Sequence, residues 1–493
     1  MTSTFLKALS PFVRVMPEVK APDREVSFRE KIVWTAIILI LFLLMSHIPL
    51  YGVDKTVGTD YLWALRVILA STRGTLMELG IGPIVTAGLV MQLLSGSKII
   101  NVDFGDPEDR ALFTGGQKVL AMVMTAFQAI AYIYGNAYGT LTPDAMVIVF
   151  MQLFISGIVV ILMDELIQKG WGLGSGVSLF IMTNVAGQVM YNALNFIDIE
   201  GTGPGDVATN LPKGIIAALL SNVMRLFTGA NPVDWGWFLL RDGLNPSVVS
   251  LIITLIIMLA VIWMETVRVE IPLQYGKYRG MKARYPIKLL YTSNIPVILA
   301  QALFANIMFF GQIIYQNFNA GGFNPFLSWI GIFESADDGT NRMIAKSGLC
   351  KYVTPPQGIF SQSLEFDPVH VIIYAALMIL LCWGFSKIWV DISGIAPRDV
   401  SRQLLNSGYI VPGFRTSEKI LERLLDRYIP VVAGLGGFLV GILAAAADIM
   451  GALASGTGIL LMVSIIKQYY EQIAKEQLAQ MGGEGVAGLL GII

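Results

Sequence analysis

The chain has 493 residues, 55% of them hydrophobic and only 14% charged, with a mean hydropathy of +0.65 and a formal net charge of −1. Soluble domains carry about 25% charged residues, so this composition excludes a string of soluble domains and implies a polytopic α-helical membrane protein. The near-zero net charge says nothing about partners, because in such a chain the placement of charges matters more than their sum. No secretory leader is expected: residues 1–31 hold six basic residues and no uninterrupted apolar core.

Ten apolar stretches are predicted as spans, at 32–50, 76–96, 117–138, 145–166, 174–194, 248–267, 289–315, 369–390, 429–450 and 456–470. The second is irregular. Glu78 and the run Gly80-Ile81-Gly82-Pro83 break its front end, and Pro83 suits a first helical turn because its missing N–H costs nothing there. From Gly82 onward the apolar helix rises only about 20 Å against a hydrocarbon core of about 30 Å. Just upstream, 61–70 places Leu62, Leu65 and Leu69 at helical spacing with Arg66 among them. A two-piece span is tolerated in a bilayer only where protein or a water-filled cavity surrounds it, which points to a pore or site at mid-membrane; the alternative is a peripheral helix followed by an ordinary short span.

With both termini cytoplasmic, 25 of the 34 Lys and Arg fall on the cytoplasmic side, as the positive-inside rule requires. Five spans precede the long external segment 195–246 and five follow it. An odd number per half inserts the second half, 246–493, upside down relative to the first, 1–245. No convincing internal repeat is visible, so this rests on counting. Within the external segment, Ile215, Leu219, Val223 and Leu226 recur at helical spacing and predict a surface helix over 213–227. Two cytoplasmic loops are long and basic, 268–288 (six basic residues, one acid) and 391–427. Such loops suit anionic lipid head groups or nucleic-acid phosphates, or serve as topology determinants alone.

Catalytic chemistry is sparse. His47 and His370 lie at span ends, and the two cysteines, Cys350 and Cys382, imply neither a disulfide framework nor a metal cluster. The stretch Gly172-Leu173-Gly174-Ser175-Gly176 lacks the Gly-Lys-Ser/Thr of a nucleotide site, so it reads as close helix packing. No enzyme activity and no cofactor are expected. Asp448 is the only acid predicted well inside an apolar run, with a structural role. Neutral polar residues within spans (Thr86, Gln92, Gln128, Gln152, Asn184, Asn294, Gln301 and Asn306) suit either static glue or a breakable seam. Alternatives at this point are an inverted-repeat secondary transporter of a small solute and a membrane scaffold.

GIGPIVTAGLVMQLL (80–94), YPIKLLYTSNIPVILAQALFAN (285–306), GFRTSEK (413–419) and GTGILLMVSIIKQYYE (456–471) closely resemble the SecY family, the central subunit of the Sec protein-translocation channel. MPEVKAPDREVSFREKIVWT (16–35) and PEDRALFTGGQK (107–118) resemble its archaeal and eukaryotic branch. The resemblance runs in order from about residue 9 to 471 and leaves 195–246, 316–366 and the tail unmatched. It implies an all-α fold of ten transmembrane helices in two inverted pseudo-symmetric halves around an hourglass pore. It implies an apolar pore ring of Ile81, Val85, Val177, Ile181, Ile298 and Leu461, and a plug helix at about 60–73 with Leu62, Leu65, Arg66 and Leu69. There the plug would give Arg66 a wet funnel to face. It also implies a lateral-gate polar cluster of Thr86, Gln128 and Asn306. Arg279, Arg415, Lys277, Lys282 and Arg284 would contact the ribosome and its RNA. The implied function is a passive channel for unfolded secretory chains and signal sequences. Two small single-span subunits, the ribosome and membrane lipids are the implied partners. The membrane is the plasma membrane of an archaeon or the endoplasmic reticulum of a eukaryote.

Overall fold

The computed structural model describes residues 11–53, 60, 65–97, 99–100, 102, 107–135, 137–139, 141–199, 211–228, 235–239, 241, 245–275, 282–319, 324–335, 343–356, 367–410 and 418–480. The fold is mostly helical. The principal helices are α1 (Phe28–His47), α2 (Gly82–Gly96), α3 (Pro107–Tyr134), α4 (Pro143–Leu166), α5 (Gly176–Leu194), α6 (Ile215–Thr228), α7 (Val248–Thr266), α8 (Ile295–Phe318), α9 (Pro368–Ile392), α10 (Pro397–Asn406), α11 (Glu418–Met450) and α12 (Gly456–Gln480). Among the described residues, six helical stretches are long and apolar enough to cross a membrane: Glu108–Tyr134, Pro143–Trp171, Val248–Thr266, Ile295–Phe318, Pro368–Asn406 and Glu418–Met450. The other four predicted spans fall on α1, α2, α5 and α12. α2 has 15 residues and so rises only about 22 Å.

Local chemistry explains several boundaries. Ser27 caps α1 by accepting from the Glu30 N–H, and Asp367 caps α9 by accepting from Val369 and His370 N–H. The second span starts as a helix only at Gly82, because the Gly80-Ile81 stretch before it is turned; Gly80 holds φ +54°. α3, α11 and α12 run well beyond their predicted apolar cores into polar sequence.

Strands qualify the all-helical expectation. The basic loop at 268–288 is an antiparallel hairpin, β3 (Arg268–Tyr275) with β4 (Lys282–Lys288), and β7 (Tyr409–Ile410) joins β3 at its far end. Alternation puts Ile271, Leu273 and Ile287 on one face, against Val400 of α10 and Leu421, Leu425 and Ile429 of α11. That burial draws α11 past its predicted start. On the other side lie the pairs β1 (Asp198–Ile199) with β2 (Leu211–Pro212) and β5 (Ile332–Ser335) with β6 (Met343–Ser347). One continuous apolar core links residues from α1–α5, α7–α9, α11 and α12 with the segment before α2.

Candidate functional site

A cavity of about 910 Å³ opens among Phe42, Asp60, Arg66, Asn184, Arg241 and Ser455, so both halves of the chain line it. The segment 65–80 lies between this cavity and the apolar centre: Arg66, Val67 and Arg73 face the cavity, while Leu65 and Ile68 are buried in the core.

Of the short helix expected at 60–73, the described residues 65–73 are not helical, and residues 61–64 lie outside the described residues. Residues 65–70 form hydrogen-bonded turns, with Ile68 and Leu69 N–H both donating to the Leu65 carbonyl, and they end on Ala70 in the left-handed region at φ 51°. The reason is visible in its partners. Ile81 N–H donates to the Leu69 carbonyl at 2.9 Å, and Asn184 Nδ2 donates to the Val67 carbonyl at 2.8 Å. These bonds hold the segment to α2 and α5 in its turned form, with the Val67 carbonyl accepting from Ala70 N–H as well as from Asn184. A Cβ at Gly80 would sit 2.2 Å from the Leu69 carbonyl oxygen, so only glycine allows this approach.

Arg66 also departs from expectation. Although it borders the cavity, its guanidinium is held by charge: Nε lies 2.9 Å from Asp60 Oδ1 and one terminal nitrogen 2.7 Å from Glu78 Oε1. Its other terminal nitrogen donates to Ser71 Oγ at 2.9 Å. Glu78, which the sequence showed only as a helix breaker, is buried, and its other oxygen accepts from Gly74 N–H. A buried acid inside this membrane protein is therefore satisfied by an ion pair. Leu62 lies outside the described residues.

All six expected ring residues occur in the one apolar core: Ile81, Val85, Ile181 and Leu461 are buried, and Val177 and Ile298 are half-buried against it. They sit at the starts of helices: Ile81 immediately before α2, Val85 in its first turn, Val177 and Ile181 early in α5, Ile298 early in α8 and Leu461 early in α12.

Two of these helices begin in the same way. At the start of α5, Val177 N–H donates to Asp164 Oδ1 of α4 at 3.0 Å. At the start of α12, Thr457 N–H donates to Asp448 Oδ1 of α11 at 2.9 Å. The residue before each is glycine, and a Cβ there would collide with the end of the preceding helix, 2.6 Å from Asp164 Cα at Gly176 and 2.1 Å from the Ala447 carbonyl carbon at Gly456. Ser175-Gly176-Val177 and Ser455-Gly456-Thr457 thus repeat one device: a buried aspartate at a helix N-terminus, where its charge is favoured. Asp448 has the structural role predicted, also accepting from Tyr374 Oη at 2.7 Å. Asp164 is a second buried acid that hydropathy passed over. The glycines of 172–176 serve close packing, with Gly174 against Tyr469.

α2 packs beside α8 and α9, and Phe127 of α3 meets Phe309 and Phe310 of α8 with ring centroids 6.5 and 6.0 Å apart. Across this seam Asn306 Nδ2 donates to Thr86 Oγ1 at 3.2 Å, and within α8 it also donates to the Ala302 carbonyl at 2.8 Å. Gln128 stands one turn away, where a Cβ at Gly82 would lie 3.5 Å from its Oε1.

At the end of the molecule that carries the β3–β4 hairpin, Tyr275 pairs with Tyr409 and Gln274 with Ile410, so the stems of the two basic loops are joined. The tips holding Lys277, Arg279 and Arg415, and the Lys282 side chain, lie outside the described residues. Arg284 is exposed and hydrogen-bonded to Glu270 at 2.8 Å, which holds the Glu270 carboxyl below its usual value.

Comparison with known proteins accounts for this arrangement. The family model SecY matches residues 75–470, and the model for the plug domain of Sec61p matches residues 40–74. A solved structure of a protein conducting channel is 36% identical over 97% of this chain and 99% of its own, with a TM-score of 0.78. A second, of a SecY protein whose plug domain stabilises the closed state of the translocation channel and maintains a membrane seal, is 35% identical over 97% and 99% with a TM-score of 0.76. Sec61 in the canine ribosome-channel complex from the endoplasmic reticulum is 35% identical with the same coverage and a TM-score of 0.75. The chain belongs to the SecY family.

Proposed function

We propose that this chain is the pore-forming subunit of a protein translocation channel in the endoplasmic reticulum or plasma membrane, with ten membrane-crossing helices, inverted halves 1–245 and 246–493, and both termini cytoplasmic. The carrying observation is the contact of segment 65–80 with Ile81 at the broken start of α2, at the end of the stretch 40–74 that matches the plug-domain model. The paired aspartate caps of α5 and α12 support the two-half reading. An aliphatic centre suits a passive conduit: it dewets when closed, and its flexible side chains gasket a moving chain without binding it. A small-solute transporter would need a polar mid-membrane site and is set aside.

At rest, segment 65–80 closes the cavity from the ring of Ile81, Val85, Val177, Ile181, Ile298 and Leu461. The α2/α3–α8/α9 seam, with Thr86, Gln128 and Asn306, is the lateral gate. An apolar segment of about 20 residues parts it, drawn by about 0.8 kcal/mol for each CH2 moved into lipid. The loops with Lys277, Arg279, Lys282, Arg284 and Arg415 dock a ribosome, which supplies the driving force, and phosphate contacts make docking salt-dependent. Two small single-span subunits complete the assembly.

The test is reconstitution of the chain with these subunits in proteoliposomes carrying ribosomes stalled on a secretory chain. Signal-dependent protection of that chain from protease is the expected result. Protection without this chain, or none with it, would contradict the function.

A further inference from the structure

The external helix α6 carries two apolar faces. Ile215, Ala218 and Asn222 are buried and rest on Ala193 at the end of α5, on Val248 and Leu251 at the start of α7, and on Leu453 between α11 and α12. Roughly opposite, at 3.6-residue periodicity, Ile216, Leu220, Met224 and Phe227 form a second stripe. It is open: Leu220 is 53% exposed, Met224 62% and Phe227 84%. A helix in water exposes polar groups on that side, so an apolar stripe of this length marks a surface that something apolar covers.

The helix is rigidly mounted. Arg241 donates to the carbonyls of Lys213 at 3.0 Å, Pro212 at 3.3 Å and Pro246 at 3.4 Å, and its guanidinium lies 4.9 Å from the Trp237 ring centroid. The start of α6 is thereby pinned to the residues that precede α7.

We propose that α6 lies in the external interface of the bilayer, with its Ile216–Leu220–Met224–Phe227 stripe immersed among lipid chains. Continuity identifies the occupant. α6 packs at the level where α5 ends and α7 begins, and the exposed residues of those helices that face away from the cavity, Met190 and Leu194 on α5 and Ile252, Leu255 and Ile256 on α7, are apolar. The stripe prolongs that lipid-facing surface around its rim. Interfacial chemistry lies near it: the Trp235 indole, just beyond α6 in the chain, is half exposed, as a residue at headgroup level should be. Helices of this kind bury an apolar face about 5–10 Å into the headgroup and acyl boundary.

The experiment places an environment-sensitive fluorophore on single introduced cysteines, Leu220→Cys and Phe227→Cys, in the full chain in phosphatidylcholine vesicles; Cys350 and Cys382 are buried and escape labelling. Leu259→Cys on α7 is the lipid-facing control and Lys475→Cys the aqueous one. The proposal rests on α7 spanning the membrane, which the Leu259 probe reads separately. Shallow brominated lipids are expected to quench positions 220 and 227 more than deep ones do, the reverse of the order at position 259 in the middle of α7, with little quenching by iodide. Quenching by iodide at the level of position 475, or shielding from both quenchers by a protein cover, would overturn it.

Discussion

The Ile81 N–H donates to the Leu69 carbonyl at 2.9 Å, which ties segment 65–80 to the start of α2. In the proposed function the seal is therefore fastened by backbone, at the one place where the second span is broken, and closure depends on Gly80 as much as on the proposed ring. Gly80→Ala would set a Cβ 2.2 Å from the Leu69 oxygen and force a left-handed alanine, which costs roughly 1–2 kcal/mol before the clash is counted. We expect at least a tenfold rise in resting ion conductance in planar bilayers. Wild-type conductance would remove this account of the seal.

The Arg66–Glu78 pair gives a second handle. Arg66→Gln leaves both Glu78 and Asp60 without their cation, at a cost of about 3–5 kcal/mol, while Glu78→Gln costs less because Asp60 still pairs with Arg66. The double replacement Arg66→Met with Glu78→Leu removes both charges and should cost much less than the sum of the single ones. Thermal unfolding in detergent of the four proteins checks it; additive losses would mean the pair is not coupled.

Asn306 bridges to Thr86 where α2 and α8 are in contact, so in the proposed gate its loss favours opening. Asn306→Leu and Thr86→Val each remove a bond between helices worth about 0.6–1.7 kcal/mol. Export of a reporter with a weakened signal sequence should rise several-fold in either mutant. No change, or tighter selection, would make the pair static glue.

The two aspartate caps predict matched effects. Asp164→Asn and Asp448→Asn each weaken charge-assisted hydrogen bonds worth about 1.5–3 kcal/mol at the base of a ring-bearing helix. Both should lower thermal stability, and Asp448→Asn more, because Tyr374, Ser455 and Thr457 all donate to it. A silent Asp164→Asn would separate α5 from this scheme.

Much of this was legible in the sequence, because hydrophobic runs and the Gly82-Pro83 start are local signals. All ten predicted spans fall on helices, and the surface helix is α6, shifted to Ile215–Thr228. The misses share a cause: they depend on contacts distant in the chain. Leu421 and Leu425 looked like leucines in a charged loop until the β3–β4 hairpin covered them. Gly80, Asn184 and Glu78 acquire their meaning from the segment folded against them. The repeat of Asp164 with Val177 and Asp448 with Thr457 is invisible to alignment of the halves, since the two connections differ in length by several residues. The ring has no sequence signature beyond six aliphatics in apolar helices, so only the resemblance suggested it.

The most direct measurement puts a photo-crosslinking amino acid at Ile298 and arrests a secretory chain in transit. Capture of that chain, dependent on its signal sequence, is the predicted result. A mutant that inserts normally but captures nothing would place the conduit elsewhere and contradict the account.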